Sequence, residues 1–479
     1  MTAPKLTLDA VAAGVLDTLT EANVAFAERY AGAPESRQPT HTVYGGAQSF
    51  TTGLAGEHGR EALESLEAFA PDPFSFARAL GMKGADTLPE KKKAARRLIE
   101  RVRRDPATAR RTERDAWLAV TVYDRVRTKL MAEPIEDFRI DFEDGFGHRP
   151  DDEEDAAAIR TALAVADAFE QGTLPPFIGI RIKPLNEELK HRSARTLDLF
   201  LTTLVERLGG RLPEPLLITL PKVPVPEQVS ALATLLDHFE QAHGLDAGTI
   251  RIELMIELPQ TLFDAEGRFQ LAPLVDAARG RCTGAHFGTY DYTATNEITA
   301  SYQTMAHGVC QLALGLMKVA YSGTPILLSD GATNVMPVPK HRGAKLSKEQ
   351  RRENRSIVHN AWQTSYRHIR ASLENGVYQG WDMHPAQLPV RYAATYAFFL
   401  DGFDAAAARF SMFVDKAARA TQVGDVFDDA ATGQALLNYF LRALNAGAVS
   451  LEDLSATGLS NEEIATRSFR TIIEDRSAN

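Results

Sequence analysis

Cysteine is scarce in this chain: Cys282 and Cys310 are the only two among 479 residues. Two thiols cannot build a disulfide framework or, unaided, a zinc site, and they point to a reducing compartment. No apolar run approaches the roughly 20 residues needed to span a bilayer. The opening stretch, MTAPKLTLDAVAAGVLDTL, lacks the basic region and apolar run of a secretory signal. A cytoplasmic location without membrane contact is therefore expected. Positive charge is in deficit, with 53 Lys and Arg against 63 Asp and Glu and a formal charge of −10. That balance argues against a nucleic-acid partner, which needs a basic footprint. Internal repeats and low-complexity linkers are missing as well. What is present is a composition of 44% hydrophobic and 24% charged residues, ordinary for a globular protein. The length suits two domains or one large domain with insertions.

Residues 1–40 carry apolar positions at helical spacing and predict an N-terminal helical segment. From 41 to 400, short apolar runs alternate with helical stretches. The runs are TVY (42–44), RIDF (139–142), FIGIRI (177–182), LLITL (216–220), IRIELMIEL (250–258), CTGAHFG (282–288), PILLS (325–329) and GWDMH (380–384). Eight strands alternating with helices predict right-handed crossovers and a closed (β/α)8 TIM barrel of class α/β. A doubly wound sheet would need a glycine-rich phosphate turn after its first strand, and YGGAQSF is not one. Two insertions are expected within 41–400, a helical one over 50–135 and a loop over 335–355. Alanine-rich helices at 403–421, 430–446 and 460–474 predict a C-terminal helical extension over 401–479.

In such a barrel, residues just past each strand share one face, where barrel enzymes place their chemistry. Nearly every expected strand here ends in an ionisable group: Asp141, Glu143 and Asp144; Arg181 and Lys183; Lys222; Glu257; Asp291; Asp330; His384. Isolated charges at buried strand ends cost several kcal/mol, on the order of the penalty for any buried ion, so these need partners or a metal. Clustered carboxylates with no cysteine suit a hard cation, and Mg2+ fits best, with Mn2+ the alternative. Arg181 and Lys222 would balance charge and grip a substrate carboxylate. For any one of these residues, an ordinary ion pair at the barrel rim is an equally good reading.

Seven segments occur in a telling order: HTVYGGA, IDFEDGF, GIRIKPL, LPKVPVPEQV, LMIELPQTLF, FGTYDYTA and GWDMHPAQLPV. Over roughly 41–400 the chain thereby resembles the citrate lyase beta-subunit superfamily, with its malyl-CoA lyases and metal-dependent hydroxy-oxo-acid aldolases. The resemblance implies that Glu257 and Asp291 are the metal ligands. It implies that Arg181 holds the substrate and stabilises an enolate, and that Tyr44, Gly45 and Gly46 form one wall of the substrate pocket. Asp144 stands where the simpler aldolases have a histidine base, which argues against a histidine-based mechanism; His148, four residues on, reads as a surface loop residue. VFDDAATGQA (426–435) is similar to the segment that carries an aspartate acid/base in malyl-CoA lyases and malate synthases. It offers Asp428, with Asp429 beside it, although the proline that usually follows is absent.

The resemblance implies a Mg-dependent carbon–carbon lyase or aldolase acting on a 2-oxo or hydroxy acid, with a CoA thioester as one form of substrate. Relatives form trimers or hexamers, so a homo-oligomer is expected. FGTYDY also resembles the metal segment of malate synthases, making an acetyl-CoA condensing enzyme the rival. A non-catalytic barrel binding protein or subunit is the alternative of another class. The basic stretch 91–114 could grip CoA phosphates but reads more simply as a solvated helical face. His384 is expected to brace a strand end, and PDDEEDAA (150–157) to open a helix, where acidic residues favour the dipole.

Overall fold

The structure is a computed structural model and describes residues 8–32, 34, 36–423, 430–455 and 457–478. Eight parallel strands close on themselves in chain order. They are β1 (His41–Gly46), β2 (Asp137–Asp141), β3 (Phe177–Arg181), β4 (Leu216–Leu220), β5 (Ile250–Ile256), β6 (Cys282–Phe287), β7 (Leu327–Ala332) and β8 (Gln379–Asp382). The expected (β/α)8 barrel is thus the observed fold.

Alternation along the strands explains how the barrel packs. Ile178, Ile180, Ile218, Ile250, Ile252 and Leu254 point outward beneath the helices and are essentially inaccessible. The inward positions are polar. Thr42 donates to Asp137 at 2.6 Å, and Tyr44 meets His286 Nδ1 at 3.1 Å across the lumen. Arg139 clasps Glu253 with two hydrogen bonds of 2.9 and 2.6 Å and reaches Asp137 at 2.5 Å. An interior of this kind is held by paired charges rather than by layers of aliphatic side chains, and it fails if one partner is removed.

The insertion between β1 and β2 is helical, as expected, with segments Leu54–Phe69, Pro73–Leu80, Lys92–Arg104, Pro106–Thr112 and Arg114–Ala132. Asp72 opens the second of these through a capping box with Ser75, and Pro73 takes the first helical position, where its missing N–H costs nothing. The basic stretch forms the third and fourth segments. Its side chains pair locally, Arg96 with Glu100 and Arg103 with Asp124, on an exposed face.

Three elements depart from the sequence reading. β7 covers 327–332 rather than 325–329, so Asp330 lies inside the strand and not beyond it. The stretch 335–355 is a loop only in its first part, because a helix begins at Lys348 behind a Ser347–Gln350 capping box and runs to Glu374. The helix that starts the extension begins at Leu388 and continues to Val423, so residue 400 falls in its middle. The remaining extension helices are Ala430–Asn445, Leu451–Ser455, Asn461–Thr466 and Phe469–Ala478.

Candidate active site

The second strand explains why a buried segment ends in acids. Asp141, the last residue of β2, pairs in register with Arg181, the last residue of β3. Its carboxylate accepts from Arg181 Nε at 2.7 Å and Nη2 at 2.5 Å. The same oxygens accept from the backbone N–H groups of Glu143 at 3.0 Å and Gly145 at 2.7 Å, which bends the chain back across the barrel mouth. Gly145 is required there, since a Cβ would collide with the Asp141 carboxylate. Gly45 and Gly46 allow the same close approach from β1. A Cβ at Gly45 would strike the Phe138 ring, and one at Gly46 the Gly145 carbonyl.

Arg181 is therefore held rigidly rather than left open as a fork. It is 1% exposed. Its guanidinium lies 5.1 Å from the centre of the Tyr44 ring and 5.4 Å from that of Trp381. Nη1 faces Glu143 Oε2 at 2.9 Å, yet the pair is not aligned as a hydrogen bond, and both atoms are buried without one. Trp381 Nε1 is buried without a partner beside them. Buried polar atoms left this way are uncommon and mark places where a ligand or water completes the set.

Lys222, just past β4, ties the remaining acids together. It adopts a left-handed backbone with φ 49°, rare for a residue with a side chain. That turn aims its N–H at Glu257 Oε1, 2.8 Å away. Its ammonium meets Glu143, Asp291 at 3.1 Å and Asp144 at 3.5 Å. Glu257 follows β5 and is 1% exposed. Gly288 gives it room, for a Cβ there would overlap its carboxylate. Asp291 enters from the first turn of the helix Thr289–Thr295.

The electrostatics follow from this crowding. Burial first, then Glu143 and Asp291, push the Glu257 carboxyl up to about 8 despite Lys222 and Arg181. Burial likewise raises Glu143. Burial opposes the Lys222 ammonium, but Glu257 and Glu143 more than offset it and raise it. Five carboxylates (Asp141, Glu143, Asp144, Glu257, Asp291) thus share two cations, Arg181 and Lys222. Among the described residues no group of three or more His, Cys, Asp or Glu is arranged as a metal cage. A site with one or two carboxylates and the rest water or substrate is what Mg2+ commonly takes, and the surplus negative charge fits a divalent ion.

Of the residues expected from sequence, Tyr44, Asp144, Arg181, Lys222, Glu257 and Asp291 converge on this one mouth. Asp428 and Asp429 lie outside the described residues. His148 is exposed. His384 accepts from the Ala386 N–H at 3.1 Å and caps the turn after β8, the bracing role expected of it. Asp330 is turned away from the mouth and bonded to Ser372. Trp381 was not singled out from sequence, although its place inside GWDMH, on an inward position of β8, was the available signal.

Among solved structures, the chain is similar to a Haloferax volcanii malate synthase, native at 3 mM glyoxylate. Identity is 16% and the TM-score 0.39, over 54% of this chain and 64% of that one, short of two thirds of its length. It is also similar to the Mycobacterium tuberculosis protein CitE in complex with magnesium and acetate, at 18% identity and a TM-score of 0.36, over 57% of this chain and 87% of that one. A third is an HpcH/Hpal aldolase/citrate lyase family protein from Burkholderia cenocepacia, at 10% identity and a TM-score of 0.33, over 56% and 85%. No curated protein matches the chain. Residues 19–472 match the family described as "Domain of unknown function (DUF6986)", and the chain belongs to that family.

Proposed function

We propose that the protein is a Mg2+-dependent carbon–carbon lyase or aldolase acting on a 2-oxo or 2-hydroxy acid through an enolate. The observation that carries this reading is the buried, under-neutralised group of acids around Glu257 beside an arginine with one unsatisfied edge. Glu257 and Asp291 would hold the ion. When bound, it supplies Lewis-acid polarisation of a carbonyl oxygen.

The chain's own residues account for the remaining needs. Arg181 Nε and Nη2 are committed to Asp141, which leaves Nη1 to donate to an oxyanion as charge develops. Because Asp141, Tyr44 and Trp381 fix the guanidinium, little reorganisation is required at that moment. The Lys222 ammonium neutralises Glu143 and Asp291 and binds the substrate carboxylate when drawn toward it. Asp144, with its side chain 64% exposed at the rim, exchanges the proton at the carbon alpha to the carbonyl. Buried Tyr44 and the partly exposed Trp381, 4.2 Å between ring centres, keep water from the inner wall.

The reading is tested by proton exchange at the alpha carbon of a panel of 2-oxo acids in D2O, followed by NMR with added Mg2+ or Mn2+. Ion-dependent exchange of at least one acid, abolished by Glu257→Gln, is the expected result. Tight ion binding with no exchange of any acid would overturn it in favour of a non-catalytic barrel. Thiol release from acetyl-CoA plus glyoxylate would instead place the protein with condensing enzymes.

A further inference from the structure

Asp330 is a buried acid that the barrel mouth does not use. Ser329, before it on β7, stands in register with His286 of β6, which faces the lumen. Alternation therefore turns Asp330 outward, beneath the helices Gly308–Tyr321 and Lys348–Glu374. Outward positions on β3, β4 and β5 carry Ile178, Ile218 and Leu254. Here an aspartate lines a cavity of about 330 Å³ between the two helices. Met305, Leu314 and Val377 give that cavity a buried apolar wall, and Gln311, Lys318 and Asn375 form its exposed rim.

The Asp330 carboxylate has hydrogen bonds but no counter-charge. Oδ1 accepts from the Gly331 N–H at 2.7 Å, and Oδ2 from the Ser372 hydroxyl. These take two of the roughly four lone-pair sites of a carboxylate, and neither donor is charged. Among the described residues no lysine, arginine or histidine pairs with Asp330. Arg391 acts on it from farther off but is clasped to Asp382 by bonds of 2.9 and 3.0 Å. Burial accordingly raises the Asp330 carboxyl. A buried acid in this state is costly unless a cation completes it.

The rest of the cavity supplies none. Gln311 Nε2 donates to the Met305 carbonyl at 3.0 Å and Asn375 Nδ2 to the Ala371 carbonyl at 3.0 Å. Lys318 Nζ donates to the Gly376 carbonyl at 2.6 Å, out at the rim. The ring nitrogens of His368 face the hydroxyls of Thr333 at 2.9 Å and Thr304 at 3.5 Å. The amide oxygens of Gln311 and Asn375 accept no hydrogen bond from the described residues. An acid at the floor, acceptors at the rim and an apolar wall between them complement a short carbon chain ending in an ammonium, which brings three N–H donors and one positive charge. The volume is in the range of small-molecule sites.

We propose that this cavity binds the ammonium group of a small aliphatic amine or amino acid, with Asp330 as its counter-charge and Met305, Leu314 and Val377 against the carbon chain. Lys318 distinguishes the two sources, since it repels a simple amine and attracts the carboxylate of an amino acid. The site lies outside the barrel wall and does not depend on the reading given to the mouth.

Ligand-detected NMR titration at fixed pH and ionic strength, without divalent metal, tests it with n-propylamine, L-alanine and propionate as probes. At least one of the first two is expected to bind and propionate not to. Asp330→Asn should weaken that binding by about tenfold or more, the size of a lost hydrogen bond to a charged group. Ala371→Phe changes an exposed residue that lines the cavity, and it should weaken binding even if Asp330→Asn fails to fold. Glu257→Gln should leave binding unchanged, which separates the site from the acidic mouth. Tighter n-propylamine binding in Lys318→Gln would identify a simple amine as the ligand, and weaker L-alanine binding an amino acid; both support the site. Absence of binding by both n-propylamine and L-alanine, propionate binding as tightly as either, unchanged affinity in Asp330→Asn or Ala371→Phe, or loss of binding in Glu257→Gln would overturn the proposal.

Discussion

Glu253 and Glu257 are the same residue type, four positions apart along the same stretch of chain, and both are buried. Burial alone would raise each carboxyl, yet Arg139 and His286 hold Glu253 well below the usual carboxylate range. Glu257 is pushed up to about 8. The difference is one of partners. Glu253 receives two hydrogen bonds from the Arg139 guanidinium and a third from Thr219 at 2.9 Å. Glu257 receives a single backbone N–H and faces two other acids. The barrel waist is a finished structural element, while the mouth is finished only when something cationic joins it.

The largest effect should come from breaking the finished half. Arg139→Met leaves Asp137 and Glu253 buried without their cation, and a loss of about 3–5 kcal/mol in equilibrium urea unfolding is expected. Glu257→Gln should leave the unfolding midpoint of the metal-free protein unchanged or higher. It should nonetheless lower ion-dependent exchange by about 10²-fold or more, as should Asp291→Asn, measured under the same NMR conditions.

The pH dependence sharpens the contrast further. With a folded pKa of about 8 against an ordinary 4.5, Glu257 keeps its proton in the folded state where the unfolded chain has lost it. Its contribution to stability is full below about pH 4.5 and declines as pH rises toward 8. Thermal melts of the metal-free protein should show that decline, Glu257→Gln should flatten it, and saturating Mg2+ should reverse it. His58 acts in the opposite sense. Burial, then His384, lowers it to about 4, so its contribution is lost as pH falls from about 6.5 toward 4, and His58→Gln should flatten that acid limb. The smallest effect is expected from Trp381→Phe, which keeps the ring against Arg181 but removes an unpaired N–H. A rise in KM of about threefold to tenfold, with kcat little changed, corresponds to one hydrogen bond.

Most of the barrel was legible because each strand is a short apolar run bounded by turn residues, and the eight runs alternate with helices. β7 was displaced because Ser329, Asp330 and Gly331 break the apolar pattern; Ser372, from the neighbouring helix, satisfies Asp330 inside the strand. The helix start at Lys348 was signalled by Ser347 and Gln350 three residues apart, a cue easily lost in a charged stretch. At the mouth, the identities of the acids were readable from strand ends, but their division of labour was not. That Asp141 anchors Arg181, and that Lys222 bridges Glu257 to Asp291, depends on register and on one left-handed turn, neither of which is written in local composition.

The helix from Leu388 to Val423 spans 36 residues, about 54 Å at 1.5 Å per residue. Its first turns are fastened to the barrel, Arg391 to Asp382 at 2.9 Å and Tyr392 to the Pro134 carbonyl at 3.0 Å. Farther along, Phe403 and Phe410 pack on Phe440, and Asp404 pairs with Arg114 of the first insertion. A single rod therefore serves as a stave brace at one end and a tie beam at the other. Shortening the protein at residue 400 would not detach a module; it would strip the cover from both pieces, so any workable dissection has to keep this rod whole.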